Sequence, residues 1–287
     1  MTSGTTVLVP LDGSIHATVA VPVARGLAEL YHGTLAVLHV TDEVLVSAAL
    51  IERVKLSSED VRGLVVERRS GAAAAVIVQE AAERGAALIV MCPQVRADVG
   101  LRALGSVAAA VLRTARCPVV LVPPARGRKP WALRRLLVPH DGTPTSAATI
   151  GPASHLASIA TAELVVLHVA TPGAERPSEP GTLVSPRYVD QPQHEWQAWA
   201  LEFLDRLRAV GGVRNRVEIR LAVAQGEVGS AIVDFARHNE CDLIVLGWRG
   251  SLEPDRAQAM RRVIRETRSP VIVFRLDRDD GESVAIR

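Results

Sequence analysis

The sequence predicts an α/β protein made of two tandem domains, each built on an open parallel sheet. Three observations support this prediction. The chain has 287 residues, which is enough for two ordinary domains. Aromatic residues make up only 3%, so the core has to be built from Val, Ile, Leu and Ala, which suits strands covered by helices on both faces. Short aliphatic runs also alternate with helical stretches, an order typical of parallel βαβ units.

The second half of the chain repeats the first. The stretch TTVLVPLDGSIHATVAVPVARGLAELYHGTLAVLHV, from Thr5, aligns without a gap on RRLLVPHDGTPTSAATIGPASHLASIATAELVVLHV, from Arg134. Both copies carry Asp-Gly after the first strand, at Asp12 and Asp141, and Leu-His-Val at the end of the second strand. The constant spacing of 129 residues indicates a tandem duplication.

Each copy predicts five strands separated by helices. A short apolar strand ends before Asp-Gly, an Ala-rich helix follows, and the second strand ends in LHV. The elements that follow in the two copies are a strand (GLVVERR; RVEIRLAV), a helix (AAAVIVQEAAERG; GSAIVDFARHNEC), a strand (ALIVM; DLIVLG), one more helix and a strand (PVVLVP; PVIVFR). Such units have parallel strands and right-handed crossovers.

The repeat and the local composition predict the domain boundaries. The first domain covers residues 1–125, an exposed linker rich in Pro and Arg covers 126–133, and the second domain covers 134–276. Residues 277–287 are charged and are predicted to be a flexible tail. The Pro-rich stretch 171–193 is predicted to be a mobile loop inserted before the helix HEWQAWALEFLDRLRAV.

Charge and cysteine usage exclude several function classes. The formal net charge is +2 and the chain has no long basic run, so neither a nucleic acid nor a membrane is an expected partner. Cys92, Cys117 and Cys241 lie far apart without metal-ligand spacing, so no metal site is expected. The N-terminal segment lacks the pattern of a secretory leader, and no apolar run approaches the roughly 18 residues of a membrane helix. A cytoplasmic location is therefore expected.

Two acidic residues lie where an open parallel sheet forms its ligand crevice, outside the carboxyl ends of the strands. The carboxylates of Asp12 and Asp141 could accept a hydrogen bond from an adenine amino group or a ribose hydroxyl. The alternative is that each carboxylate only caps the backbone of its own turn. His39 and His168 end their strands in an apolar context, where a packed, hydrogen-bonded histidine is favoured over a catalyst.

A third feature of the first copy is the helix that begins with Gly105 and Ser106. A helix N-terminus offers unpaired backbone N–H groups, and a Gly-Ser start is a usual place to hold a phosphate. The loop before this helix begins with Cys92, Pro93, Gln94 and Val95, where a phosphate loop would carry glycines.

These motifs together resemble the universal stress protein family over nearly all of both halves. The stretches that carry the resemblance are VLVPLDGS and LLVPHDGT, the two LHV strands, DLIVLGWRG, and LGSVAAAVLRTARCPVVLV. The resemblance implies two Rossmann-like (adenine nucleotide alpha hydrolase-like) domains with strand order 3-2-1-4-5. It also implies pairing of the fifth strands into an intramolecular pseudo-dimer, ATP or AMP as cofactor, and backbone contacts to adenine at Val40 and Val169.

The nucleotide-binding branch of that family carries Gly, two residues, Gly, nine residues, and then Gly-Ser or Gly-Thr. On this pattern the first copy has Cys92, Val95, Gly105 and Ser106, so its end is intact and both early glycines are lost. A β-branched Val is strongly disfavoured where a glycine would take a positive φ.

The second copy lacks the other part of this glycine pattern. It keeps the early glycines, Gly247 and Gly250, but no Gly-Ser or Gly-Thr follows at the expected spacing. Glu253 and Asp255 also lie near where a phosphate would bind. A composite site shared by both copies is a less favoured reading, because the family geometry puts each loop over its own sheet.

The sequence therefore leaves three functions open. The favoured one is a regulatory or binding module of the stress response with weak or vestigial adenine-nucleotide binding. The second is a nucleotide-free interaction or scaffold protein, in which the surface of the internal pseudo-dimer and the inserted loop 171–193 recruit an unidentified protein partner. Two chains could also pair into a homodimer. An ATPase or nucleotidyl-transfer enzyme is least favoured, because the chain lacks a Walker-type Gly-Lys-Ser/Thr and a convergent set of acid, base and nucleophile. The expected protein is not an enzyme, with weak ATPase activity at most.

Overall fold

The computed structural model describes residues 5–57, 59–93, 104–171, 182, 201–205, 207, 209, 217–248 and 254–276. By their contacts, these residues form two compact units. Unit 1 takes the described residues of 5–132 and 267–275, and unit 2 takes those of 133–266 together with Leu276. The predicted tail and most of the predicted loop 171–193 lie outside the described residues. The predicted domain boundaries stay a prediction.

Unit 1 alternates strands and helices along the chain. Its elements are β1 (Thr6–Pro10), α1 (Ala20–Leu30), β2 (Thr34–Val40), α2 (Ser47–Arg53), β3 (Val65–Arg69), α3 (Ala73–Glu83), β4 (Ala86–Met91), α4 (Ser106–Thr114) and β5 (Val119–Leu121). The strands lie in the order β3-β2-β1-β4-β5 with parallel neighbours, which confirms the predicted order 3-2-1-4-5 for the first half. Helix α2 is an element that the repeat pattern does not predict.

The core of unit 1 lies around its two central strands, β1 and β4. Val7, Leu8, Leu88 and Ile89 are at most 1% exposed. Helix α1 covers them with an apolar stripe in which Leu27 is fully buried. Full burial of each large aliphatic side chain contributes about 1.5–3 kcal/mol, so these strands form a rigid base for the loops at their carboxyl ends.

Unit 2 repeats this architecture. Its elements are β6 (Arg135–Pro139), α5 (Pro144–Ala147), α6 (Ile150–Ala160), β7 (Glu163–Ala170), β8 (Ile219–Gln225), α7 (Val228–His238), β9 (Leu243–Trp248) and α8 (Pro254–Glu266). The strands lie in the order β8-β7-β6-β9, and all three neighbouring pairs are parallel. Residues 201–205 are helical, within the stretch predicted as a helix, and the side chain of Phe203 is buried.

The last strand of the chain, β10 (Val271–Arg275), belongs to unit 1 by its contacts. It pairs antiparallel with β5, with Ile272 opposite Val120. The fifth strands of the two repeats therefore pair, as the family resemblance implies.

A buried carboxylate ties β3 to α3 in unit 1. The side chain of Glu80 is 5% exposed and accepts hydrogen bonds from Arg69 Nε at 2.8 Å and from Arg84 Nε at 2.6 Å. Glu67 joins the same cluster through Arg84 Nη2 at 2.5 Å, and the two guanidinium groups lower the pKa of Glu67. A buried charge is stable only when it is paired in this way.

In unit 2, Glu227 caps helix α7. Its carboxylate accepts hydrogen bonds from the backbone N–H groups of Gly229, at 3.1 Å, and Ser230, at 2.8 Å, and from Arg262 Nη1 on α8 at 2.6 Å. These bonds lower the pKa of Glu227 to about 2, against the opposing effect of its partial burial. The Glu227 side chain thus accepts hydrogen bonds from two backbone N–H groups at the start of α7 and also links α7 to α8.

The predicted linker is only partly exposed. Arg128 and Lys129 are exposed, but Trp131 is half-buried, and a Cβ atom on Gly26 would lie 2.7 Å from its ring. Arg128 also forms an ion pair with Asp60 at 2.5 Å. The expectation of an exposed segment is therefore wrong at Trp131, because Gly26 of α1 leaves room for the indole to dock on unit 1.

Candidate functional site

The carboxyl ends of three neighbouring strands bring the predicted site residues of unit 2 together. Strand β6 lies between β7 and β9, and Asp141 follows β6 by two residues. Pro139 is opposite Leu167 in the parallel register, so Asp141 comes level with Val169 near the end of β7. Gly247 lies near the end of β9, on the other side of β6. This is the edge of a parallel sheet at which ligands bind.

Asp141 is held by its own turn. Its Oδ1 accepts hydrogen bonds from the backbone N–H of Thr143 at 3.0 Å, from the Thr143 hydroxyl at 2.6 Å and from the Ser146 hydroxyl at 2.7 Å. Gly142 has a φ of +86°, which a side chain rarely adopts, and this explains why Asp is followed by Gly. The turn fixes the orientation of the carboxylate, and these bonds fulfil the capping role weighed from the sequence.

His140 is a site residue that the sequence analysis does not single out. Its Nδ1 accepts a hydrogen bond from the backbone N–H of Gly142 at 2.9 Å, so the ring proton of the neutral form is on Nε2. Ser146 Oγ lies 3.2 Å from the same nitrogen, and the ring stands edge-on to Phe203 with centroids 4.9 Å apart. Within the described residues, the buried Nε2 has no hydrogen-bond partner.

The surroundings of His140 keep it neutral. Burial is the main cause that lowers its pKa from 6.5 to about 4; the charge of Asp141 opposes this change and the nearby His168 adds to it. The only signal in the sequence is the change from VPLDGS to VPHDGT, which puts His140 where the first copy has Leu11.

The two histidines that end the LHV strands are packed and hydrogen-bonded, as predicted. His39 is 4% exposed and its Nδ1 lies 2.7 Å from the carbonyl oxygen of Leu11, while His168 is 6% exposed and its Nδ1 lies 3.1 Å from the carbonyl oxygen of His140. A carbonyl accepts only, so each Nδ1 carries the proton. Each histidine thus ties the end of one strand to the Asp-Gly turn of its neighbour.

Gly247 is closely packed. A Cβ atom at this position would lie 2.7 Å from Leu276 Cδ1 and 2.8 Å from Thr149 Cγ2, and its backbone is not left-handed. The lack of a side chain at Gly247 therefore lets β9, the start of α6 and the residue after β10 meet closely. Gly250, the second early glycine of this copy, lies outside the described residues.

In unit 1, Asp12, Val40 and Cys92 occupy the matching positions. Asp12 is exposed and its Oδ1 accepts a hydrogen bond from the backbone N–H of Ser14 at 2.8 Å. Pro10 is opposite Leu38, which brings Asp12 level with Val40. Burial is the main cause that raises the pKa of the Cys92 thiol to about 12, and the charge of Asp12 adds to it.

Helix α2 packs onto the Asp-Gly turn of unit 1. Gly13 has a φ of +86°, and a Cβ atom there would lie 3.1 Å from the carbonyl oxygen of Arg53, the last residue of α2. Arg53 is held by an ion pair with Glu43, in the loop after β2. The segment between β2 and β3 thus folds back beside the position where the sequence predicts a ligand.

The predicted phosphate end of unit 1 is a helix start. Gly105 has an extended backbone (ψ 153°) and precedes Ser106, the exposed first residue of α4. The N-cap position is Gly105 itself, so no side chain caps the start of this helix. Val95, which the sequence identifies as the damaging change in this loop, lies outside the described residues.

The two remaining cysteines of the described residues are held in the neutral thiol form. Burial raises the pKa of the Cys117 and Cys241 thiols to about 11 each, which disfavours the nucleophilic thiolate form. In the described ranges, no group of three or more His, Cys, Asp or Glu side chains is arranged to hold a metal ion. Of the helices in those ranges, none has the length and apolar character to cross a membrane.

The model of the universal stress protein family matches residues 5–123 and 132–275. The chain belongs to the universal stress protein family. The universal stress protein YxiE of Bacillus subtilis is 30% identical over 118 residues, which cover 40% of this chain and 79% of that protein. The two segments that the family model matches correspond to the two copies of the repeat.

Two solved structures have the same fold over nearly the whole chain. A universal stress protein from Archaeoglobus fulgidus is 17% identical, with 96% of this chain and 98% of that one covered at a TM-score of 0.62. A functionally unknown protein from Pseudomonas aeruginosa PAO1 is 20% identical, with 94% and 92% covered at a TM-score of 0.63. At this level of identity, the likeness concerns the fold alone.

Proposed function

We propose that this tandem universal stress protein is a binding module of the stress response that holds an adenine nucleotide, ATP or AMP, weakly in unit 2. The observation that carries the proposal is the meeting of Asp141, Val169 and Gly247 at the carboxyl ends of three neighbouring parallel strands. An open α/β sheet binds its ligands at that edge. The protein is proposed to work in the cytoplasm, in keeping with the wide separation of Cys92, Cys117 and Cys241 along the chain.

The residues of unit 2 have distinct proposed roles. The Asp141 carboxylate, oriented by its turn, accepts a hydrogen bond from a ribose hydroxyl or the adenine amino group. The backbone of Val169 contacts the adenine ring, and Gly247 and Gly250 leave the following loop close to the phosphates. Binding is weak because Glu253 and Asp255 repel a phosphate by roughly 1 kcal/mol or more for each close pair.

Unit 1 is proposed to bind nucleotide more weakly than unit 2. Gly105 and Ser106 could still hold a phosphate, and Asp12 and Val40 still mark the adenosine end. However, Cys92 and Val95 replace the early glycines, and Arg53 lies beside Gly13. The double variant Cys92→Gly/Val95→Gly should add a second bound nucleotide if the loop is the main defect. If it does not, the segment around Arg53 is the cause, and removing its side chain with Arg53→Ala should then be required.

The second candidate is a nucleotide-free interaction protein of the same fold. A specific observation favours it: packing against Leu276 and Thr149 explains Gly247 without a ligand, and the capping bonds explain Asp141. In this case the Asp-Gly turns of both copies hold the sheet edge in shape for a protein partner. Neither candidate needs a catalytic step.

Released nucleotide distinguishes the two candidates. The purified protein is denatured, and the supernatant is analysed for adenine nucleotides by mass spectrometry. The proposal expects sub-stoichiometric AMP or ATP and a rise in the unfolding temperature with millimolar ATP. An empty supernatant together with an unchanged unfolding temperature would leave the nucleotide-free candidate.

A further inference from the structure

The outer edge of β8 is a candidate interaction surface in unit 2. Among the described residues, β8 pairs only with β7. The carbonyl of Glu218 accepts from the N–H of Leu164 at 3.0 Å, and the N–H of Gly226 donates to the carbonyl of Ala170 at 3.2 Å. Even-numbered residues of this segment therefore turn their backbone polar groups toward β7.

The odd-numbered residues of β8 then turn their backbone N–H and C=O groups outward, since successive residues of a strand alternate. These residues are Ile219, Leu221, Val223 and Gln225. Val223 is 42% exposed, and Leu221 is half-buried. Among the described residues no second strand pairs with this row of donors and acceptors, and such a row beside apolar side chains is a template for pairing with another strand.

The edge strand of unit 1 carries three charged residues out of five, whereas β8 carries one out of seven. β3 carries Glu67, Arg68 and Arg69, and antiparallel pairing of β3 with itself about its centre would put Glu67 opposite Glu67. Like charges directly opposite each other destabilise a strand pair. Charged side chains of this kind are a usual protection of sheet edges.

The sequence of β8 is complementary to itself. With Ala222 at the centre of an antiparallel pair, Leu221 lies opposite Val223 and Arg220 lies opposite Ala224. The single charge, on Arg220, is already held on its own unit, because its Nε donates to Glu163 Oε1 at 2.6 Å. In this register the outward-facing residues lie opposite one another, as hydrogen-bonded antiparallel pairs require.

We propose that β8 pairs antiparallel with β8 of a second copy of this chain, with the two-fold axis at Ala222, and so forms a homodimer. The contact is isologous, because each copy supplies the same strand. It joins two chains through unit 2 and leaves the β5–β10 pair of each chain in place.

The register gives a sharp test, because Ala222 is opposite itself. Ala222→Lys and Ala222→Glu each put two like charges face to face and should raise the dimer dissociation constant at least about tenfold. An equimolar mixture of the two variants should recover a dimer, because Lys then lies opposite Glu. Val65→Lys, at the exposed start of edge strand β3, is the matched control and should leave association unchanged.

Sedimentation velocity over a wide concentration range reads the association of each variant, and far-UV circular dichroism checks that it is folded. If the variants at Ala222 fail to fold, Val223→Pro removes one outward N–H without touching the bonds to β7, and it should weaken the dimer. A wild-type chain that stays monomeric would overturn the proposal. So would a dimer that survives the folded Lys and Glu variants, or a mixture that does not associate.

Discussion

Replacing His140 by Asn should flatten the acid side of the stability curve of unit 2. The pKa of His140 is lowered to about 4 in the folded chain from 6.5, mainly by burial. The folded state therefore favours the neutral imidazole, and the unfolded state takes up the proton first as the pH falls. The contribution of this group is complete above pH 6.5 and is lost progressively down to about pH 4.

The size of the effect follows from the same two pKa values. Each unit of difference corresponds to about 1.4 kcal/mol, so the full loss is roughly 3 kcal/mol, with about 2 kcal/mol already lost at pH 5. Asn does not titrate, and its amide oxygen can accept the N–H of Gly142 in place of Nδ1. A smaller pH dependence should remain in the variant, because burial also lowers the pKa of His168.

Urea unfolding at pH 7 and pH 5, with pulse-labelled hydrogen exchange of the β7 peptide, measures unit 2 separately from unit 1. Wild type should lose roughly 2 kcal/mol more between these pH values than His140→Asn. Asp141, the charged neighbour of His140, acts in the opposite direction on its pKa. Equal losses in the two proteins would refute the assignment of acid sensitivity to His140.

Three further substitutions test the packing of the two units. Gly247→Ala should lower the free energy of unfolding by about 1–3 kcal/mol in urea titrations, because the new methyl would lie 2.7 Å from Leu276; a neutral result would contradict the packing role. Glu80→Gln should cost about 1–3 kcal/mol by the same measurement, and the exposed Glu83→Gln on the same helix should cost almost nothing. Glu227→Ala should lower the thermal unfolding midpoint, because losing the cap reduces the free energy of unfolding by about 1 kcal/mol. The difference in midpoint from wild type should shrink as the pH falls from 4.5 toward 2, where the carboxylate of the wild type becomes protonated. A difference independent of pH would count against the carboxylate cap.

The alternation of strands and helices along the chain could be predicted from the sequence because aliphatic runs and the repeat are local signals, whereas the strand order 3-2-1-4-5 came from the family resemblance. Helix α2 could not be predicted from the sequence, since its segment SAALIER is too short to show a helical period. The helix is held by the packing of Leu50 onto unit 1. The docking of Trp131 depends on Gly26, a contact between residues far apart in the chain. Composition alone therefore suggested an exposed linker.

Some features of the candidate site could likewise be predicted from the sequence, and others could not. Asp12 and Asp141 could be found from sequence because they directly follow strands, and the edge of a parallel sheet gathers such residues. The neutral state of His140 could not be predicted from the sequence, since it depends on burial and on contact with Phe203, which lies far away along the chain. The close contact of Gly247 with Leu276 likewise joins residues that no local pattern connects.

Equilibrium binding of ATP to a matched pair of variants tests the proposed site most directly. Asp141→Asn keeps Oδ1 as an acceptor for its turn but removes the charge, and Asp12→Asn makes the same change in unit 1. The account predicts that isothermal titration calorimetry finds a single weak site in wild type. Asp141→Asn should weaken it about tenfold or more, and Asp12→Asn should leave it unchanged. Equal affinity in all three proteins, or loss of binding only in Asp12→Asn, would contradict the assignment of the nucleotide to unit 2.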